Sequence, residues 1–221
     1  MATQSTALEP GAAAFYGVVG IEHLLRRAIA EGREWWYGDN AYLDAVRGKY
    51  FRFARNAMQW PYAPPDYARL RAIGVTVRPW RRSGRNVVVV EQSEHFLKLC
   101  GREYWLGNAL RAIKAQSDRP VKVRRWSRDK AKAVRGLAAD LKDAWCLVTH
   151  MSAAATEAVL AGVPVFVSGP CAAVPMASGD LANIETPKYP DGREEWAARL
   201  AAAQWTMDEL RSGLAWRTLN T

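Results

Sequence analysis

Cysteine and histidine are scarce in this 221-residue sequence, at three each. Cys100, Cys146 and Cys171 lie far apart, which excludes a disulfide framework and any metal site of the C-x-x-C kind, and reads as reduced, mostly buried thiols. Long hydrophobic runs are missing too: no stretch approaches the roughly 20 apolar residues of a bilayer span. The opening MATQSTALEPGAAAFYGVVG has no basic segment leading into an apolar one, so no secretory signal is expected, and the cytoplasm is the expected location. Acidic residues are in deficit, with 22 Asp and Glu against 31 Lys and Arg, a net charge of +9. That balance favours phosphate-bearing ligands and polyanions. Several catalytic signatures are absent: no G-x-x-x-x-G-K-[ST], no H-x-E with C-x-x-C, no G-x-S-x-G elbow. P-loop, zinc-deaminase and serine-hydrolase chemistry are thereby disfavoured, and GVVG is too short to claim a dinucleotide site.

What is present is an alternation of strands and helices in an ordinary globular composition, 49% hydrophobic and 24% charged. AAFYGVV predicts a short strand, IEHLLRRAIAEG a helix stopped at Gly32, and EWWYGDNAYL and KYFRFARN two aromatic strands. A Pro-rich turn precedes a short helix near Asp66. NVVVVEQS opens a second series. Four consecutive valines predict a strand buried on both faces, as a parallel sheet demands. A helix broken near Gly101 follows, then the strand RPVKVRRW, the amphipathic helix DKAKAVRGLAADLKDA, the strand CLVTH, the helix SAAATEAVLAG and the strand VPVFVSG. Helices close the chain, one capped by TMDE. The expected class is α/β: a Rossmann-like parallel sheet in residues 83–221 and a smaller, abridged α/β unit in residues 1–82, with the boundary near Arg81–Arg85.

Open α/β sheets bind ligands at the carboxyl ends of their strands. Three such ends are small or polar: Gln92-Ser93, Thr149 to Ser152, and Ser168-Gly169-Pro170. The helix after Ser152 turns free N–H groups and a positive dipole end toward whatever lies in front, an arrangement suited to a diphosphate. Ser152 also reads as an N-cap and the alanines as close packing. Glu157, one turn along, is placed to accept from ribose or sugar hydroxyls. Gly162-Val163-Pro164 is a helix-to-strand turn that needs no function. Two basic stretches, RPWRRSGR (Arg78 to Arg85) and VKVRRWSRDKAKAVR, interleave tryptophan with arginine, as a nucleic-acid surface or a plain solvated face would.

HMSAAATEAVLAGVPVFV resembles the nucleotide-sugar half of GT-B glycosyltransferases, and the tail from Ala177, with its IE-P and QWT--E---G-AW segments, is similar to phage and bacterial glycosyltransferase-like proteins. The resemblance covers chiefly Asn86 to Trp216; YGDNAYL and YFRFARNAMQ resemble the acceptor half. It implies transfer of a sugar from a nucleotide-sugar co-substrate, with no metal or cofactor required. Donor contacts would fall on Ser93, His150, Ser152, Glu157, Ser168 and Gly169, with Arg124, Arg125 or Lys130 clamping the diphosphate. Asp39 would be the general base, with His150 as a second catalytic group. Tyr50, Arg52, Asn56, Gln59, Arg81 and Arg82 would meet the acceptor. Hydroxymethylated bases of phage DNA fit the charge, which would place the protein in the host cytoplasm. A glycan or lipid-linked acceptor, another DNA-hypermodification transferase, and a non-catalytic nucleotide- or DNA-binding module stay open beside it.

Overall fold

The computed structural model describes residues 8–43, 48–126 and 136–220. In chain order the elements are β1 (Ala13–Tyr16), α1 (Glu22–Ala30), β2 (Trp35–Asn40), β3 (Tyr50–Arg55), α2 (Tyr67–Ile73), β4 (Asn86–Val90), α3 (Glu94–Leu99), α4 (Trp105–Gln116), β5 (Val121–Arg124) and α5 (Leu137–Leu141). After them come β6 (Ala144–Thr149), α6 (Ala154–Leu160), β7 (Val165–Val167), β8 (Ala177–Ser178), α7 (Arg193–Ala202), β9 (Trp205–Thr206), α8 (Met207–Arg211) and α9 (Leu214–Leu219). The fold is mixed α/β. One sheet is all-parallel, in the order β5-β4-β6-β7-β8; the other is mixed, in the order β1-β2-β3-β9. No helix among the described residues is long and apolar enough to cross a membrane.

The valine run is buried throughout, and its alternation sorts the side chains between two layers. Val87 and Val89 pack with Trp105 and Ile113 of α4 and with Phe166; Val88 and Val90 pack with Ala155, Ala158 and Val159 of α6. Full burial of each valine stabilises by about 1.5–3 kcal/mol. The expected helix break is present: α3 ends at Cys100, Gly101 takes φ +63°, and α4 starts afresh at Trp105. Of the helix expected over Asp129–Ala144, Leu137–Leu141 is observed, and residues 127–135 lie outside the described residues.

The C-terminal tail departs from the partition at 82/83. Trp205–Thr206 adds a strand to the first sheet beside β3, and Trp216 of α9 stacks on Trp36 of β2 at 4.4 Å. Gln204, fully buried, explains the return: its Oε1 accepts from Leu43 N at 2.9 Å and its Nε2 donates to Leu43 O at 3.3 Å. Arg69 of α2 then grips Glu209 with both terminal nitrogens, each at 2.7 Å, and also donates to Gln204 O. Glu209 closes the Thr206 capping box as well.

The segment joining the two sheets is docked, not loose. Arg78 N donates to Leu160 O at 2.8 Å and Arg81 N to Gly162 O at 2.7 Å. Gly162 sits at φ +77°, and a Cβ there would lie 2.0 Å from Pro79 O. Gly162→Ala is therefore expected to cost about 2–3 kcal/mol, read as a lowered urea midpoint at unchanged m-value. The Arg69 hydrogen bonds hold the Glu209 carboxyl at about 2, below its ordinary 4.5. The stability this contributes is complete above pH 4.5 and is lost as the pH falls through about 2. Urea titrations between pH 7 and pH 2 should show that loss in the parent and a shallower one in Glu209→Gln.

Candidate functional site

The SAAAT start of α6 brings the first unit close, and little room is left ahead of it. Tyr42, Arg52 and Gln59 meet Ser152, Ala153 and Thr156 around a void of about 10 Å³, room for roughly one water. Small side chains have served close packing here: α6 is seven residues long, and the Ser152 hydroxyl accepts from Ala154 N at 3.2 Å. Glu157 is exposed, is not part of the lining of the void ahead of α6, and accepts no side-chain hydrogen bond among the described residues; partial desolvation raises its pKa while the charge of Arg124 opposes that rise.

Asp39, Arg52 and Gln59 are brought together at the carboxyl end of β2. Asp39 Oδ2 accepts from Arg52 at 2.8 Å and from the Tyr37 hydroxyl at 2.9 Å; Oδ1 accepts from Asn40 N at 2.8 Å. Arg52 also donates to Gln59 Oε1 at 2.6 Å and lies over the Tyr42 ring. Three donors on one carboxylate fix its orientation and tie β2 to β3 and to the Tyr37 hydroxyl. Burial and the Asp39 charge hold the Tyr37 phenol well above its ordinary value, so it stays a donor.

The open site lies on the other face of the parallel sheet. A cleft of about 410 Å³ runs over the carboxyl ends of β6 and β7, between those ends and the first turns of α4. Three side chains form a row along it. The Trp105 indole N–H donates to Ser168 Oγ at 2.7 Å, and Ser168 Oγ meets His150 Nδ1 at 3.0 Å. Desolvation, followed by the Arg102 charge, lowers the His150 pKa, so the ring is neutral at pH 7. With the serine proton given to Nδ1, the ring proton sits on Nε2, which is buried and has no partner among the described residues. His150 as a whole is only 3% exposed. The strand ends are locked together around it: Gly169 N donates to His150 O at 2.9 Å.

Two more features face this cleft. Arg102 supplies a cation at its edge, and the Tyr104 ring stands 84% exposed beside it. Tyr104 is also the N-cap of α4 and makes no side-chain cap bond; Trp105 N donates to Arg102 O at 2.9 Å, and the twelve-residue helix turns its positive dipole end here.

The remaining sequence-derived residues are dispersed. Ser93 caps α3, accepting from Phe96 N at 3.4 Å. Arg124 pairs with Asp140 at 2.7 Å, Arg125 pairs with Glu91 at 3.0 Å, and Lys130 lies outside the described residues. Tyr50 is buried under the Arg69 guanidinium. Asn56 takes φ 51° and closes a turn on Trp35, whose N–H it accepts at 2.9 Å. Arg81 is spent on the carbonyls of Leu141, Lys142 and Ala144, whereas Arg82 is exposed over Tyr189. Trp105 and Arg102 escape a reading of the sequence. Their one local signal is the Gly101 break, which starts a new helix at the strand ends. No family model matches the sequence and no curated protein matches it.

A Cβ on Gly169 would fall 2.6 Å from His150 Cε1. Gly169→Ala should therefore displace the imidazole, break the Trp105–Ser168–His150 row and cost about 1–3 kcal/mol. Chemical denaturation gives the stability loss, and the His150 ring resonances by NMR report the displacement.

Proposed function

We propose that the chain binds a nucleotide-sugar or a closely related nucleoside diphosphate in the cleft over β6 and β7, as the nucleotide half of a GT-B-like transferase would. The observation that carries this reading is the unpartnered, buried His150 Nε2 in the same cleft as the start of α4 and Arg102. A helix N-terminus with an adjacent cation is a ready anion site. The Trp105–Ser168–His150 row gives oriented polar groups for ribose or sugar hydroxyls, Tyr104 offers a flat face to a base, and about 410 Å³ falls within the range of small-molecule sites. The ligand would thus lie at the same β6 end as Ser152 but on the opposite face of the sheet from the Ser152 and Glu157 positions that the sequence favours.

Transfer is the finer part of this proposal. It draws on the resemblance of Asn86 to Trp216 to GT-B nucleotide-sugar domains; burial lowers the His150 pKa, which favours the uncharged ring as a hydrogen-bonding partner in the cleft. Asp39, held by Arg52, acts structurally in this reading, and Asp39→Asn should lower stability without removing a catalytic base.

Calorimetric titration with UDP, dTDP, UDP-glucose and uridine tests the site. The diphosphates should bind at least about tenfold more tightly than the nucleoside, and Arg102→Gln should abolish most of that difference. Ser168→Ala should weaken the nucleotide-sugar more than the plain diphosphate. Absence of binding by every nucleotide, or an Arg102→Gln variant with parental affinities, would overturn the reading. Acceptor-dependent release of nucleoside diphosphate separates a transferase from a binding module.

A further inference from the structure

The RPWRRSGR stretch, together with the segment before α7, builds a surface that the cleft does not use. Arg193 lies over the Trp80 ring at 3.9 Å and is fixed there by donating to Arg78 O at 2.6 Å and Val159 O at 3.2 Å. The Trp80 indole donates to Pro190 O at 3.0 Å. Trp80 meets Tyr189 edge to face, with centroids 5.9 Å apart and planes at 79°. Arg82 covers Tyr189 at 4.4 Å. The result is a row of guanidinium, ring, ring and guanidinium, in which Arg193 and Trp80 are held by backbone carbonyls rather than by acids.

Cations surround the row. Arg78, Arg82 and Lys188 are exposed, and none of the three makes an ion pair among the described residues. Arg71, Trp80 and Arg193 also line a groove of about 460 Å³ beside the start of α7, with Asp191 and Glu194 as its acidic border. A merely solvated basic face would let its arginines move freely. Here Arg193 is pinned over Trp80 by two carbonyls and Arg82 already rests over the Tyr189 ring, which removes part of the ordering cost of stacking before a ligand arrives.

We propose that this strip binds a single strand of nucleic acid. Unpaired bases stack on the outer face of the Arg82–Tyr189 pair, which the Trp80–Arg193 pair buttresses, and phosphates are met by Arg78, Arg82 and Lys188. Single strands are favoured because stacking needs free base faces, which a duplex keeps covered. The proposal rests on this strip alone and stands whether or not the cleft over β6 and β7 takes a nucleotide.

Fluorescence anisotropy with a labelled oligothymidylate of about 20 nucleotides, a duplex of the same length and heparin tests it. The parent protein should prefer the single strand to the duplex. Arg78→Gln with Arg82→Gln should weaken oligonucleotide binding at least about tenfold and reduce the log K against log salt slope by about 1.4, the value for two lost single-strand phosphate contacts. Tyr189→Leu should weaken the oligonucleotide about tenfold and leave heparin unchanged. Arg82→Lys, which keeps the charge and loses the plane, should do the same in smaller measure and guards against a misfolded Tyr189 variant. Arg26→Gln with Arg27→Gln on α1 removes equal charge elsewhere and should change little. Equal affinity for heparin and oligonucleotide with no effect at Tyr189, preference for the duplex, or an equal loss in the α1 variant would overturn the proposal.

Discussion

Burial of β4 on both faces is the constraint from which the rest follows. A strand with four successive valines, two on each face, must have an apolar layer on each side, so α4 covers one face of the parallel sheet and α6 the other. Parallel strands return through helices that run antiparallel to them, which sets the amino end of α4 at the carboxyl ends of β6 and β7. A helix start, a cation and two strand-end polar residues thereby share one cleft. None of these groups is unusual singly; their convergence is a consequence of the layer order.

The two faces have different fates because their neighbours differ. On the α6 side the core is continuous with the first unit: Tyr42, Leu43 and Tyr50 belong to the same cluster as Val88, Val90 and Ala155. Gln204 and the Arg69–Glu209 pair fasten the tail across this seam, and Arg52 fills what would be a ligand space in front of α6. On the α4 side Gly179 and Leu181 border the strand ends without covering them, and the cleft stays open. Tight packing on one face thus leaves the other as the one with an open cleft.

Much of this was legible one residue at a time. The valine run read as a doubly buried strand because nothing else accommodates four successive β-branched apolar residues. Gly101 read as a helix break, Gly162-Val163-Pro164 as a turn, and TMDE as a cap, since each depends on the backbone of its own few residues. Asp66 marked the start of α2, where its side chain accepts from Arg69 N. The polar strand ends at His150 and Ser168 were also readable, through the carboxyl-end rule. Ser152 and Glu157 were harder, because an alanine-rich helix start suits a close ligand and a close protein surface equally well. The deciding fact, Tyr42 and Arg52 arriving from more than a hundred residues away, is not encoded near them.

By itself the sequence determined the α/β class, the identity and order of most elements, and the strand ends at which polar groups cluster. These depend on hydrophobic period and turn chemistry, which act over a few residues. Tertiary structure alone decided that the tail crosses to the first sheet, that α6 is closed off, and that Trp105, Ser168 and His150 form one hydrogen-bonded row. Contacts between residues dozens of positions apart are fixed by how layers stack, and no local pattern records that stacking.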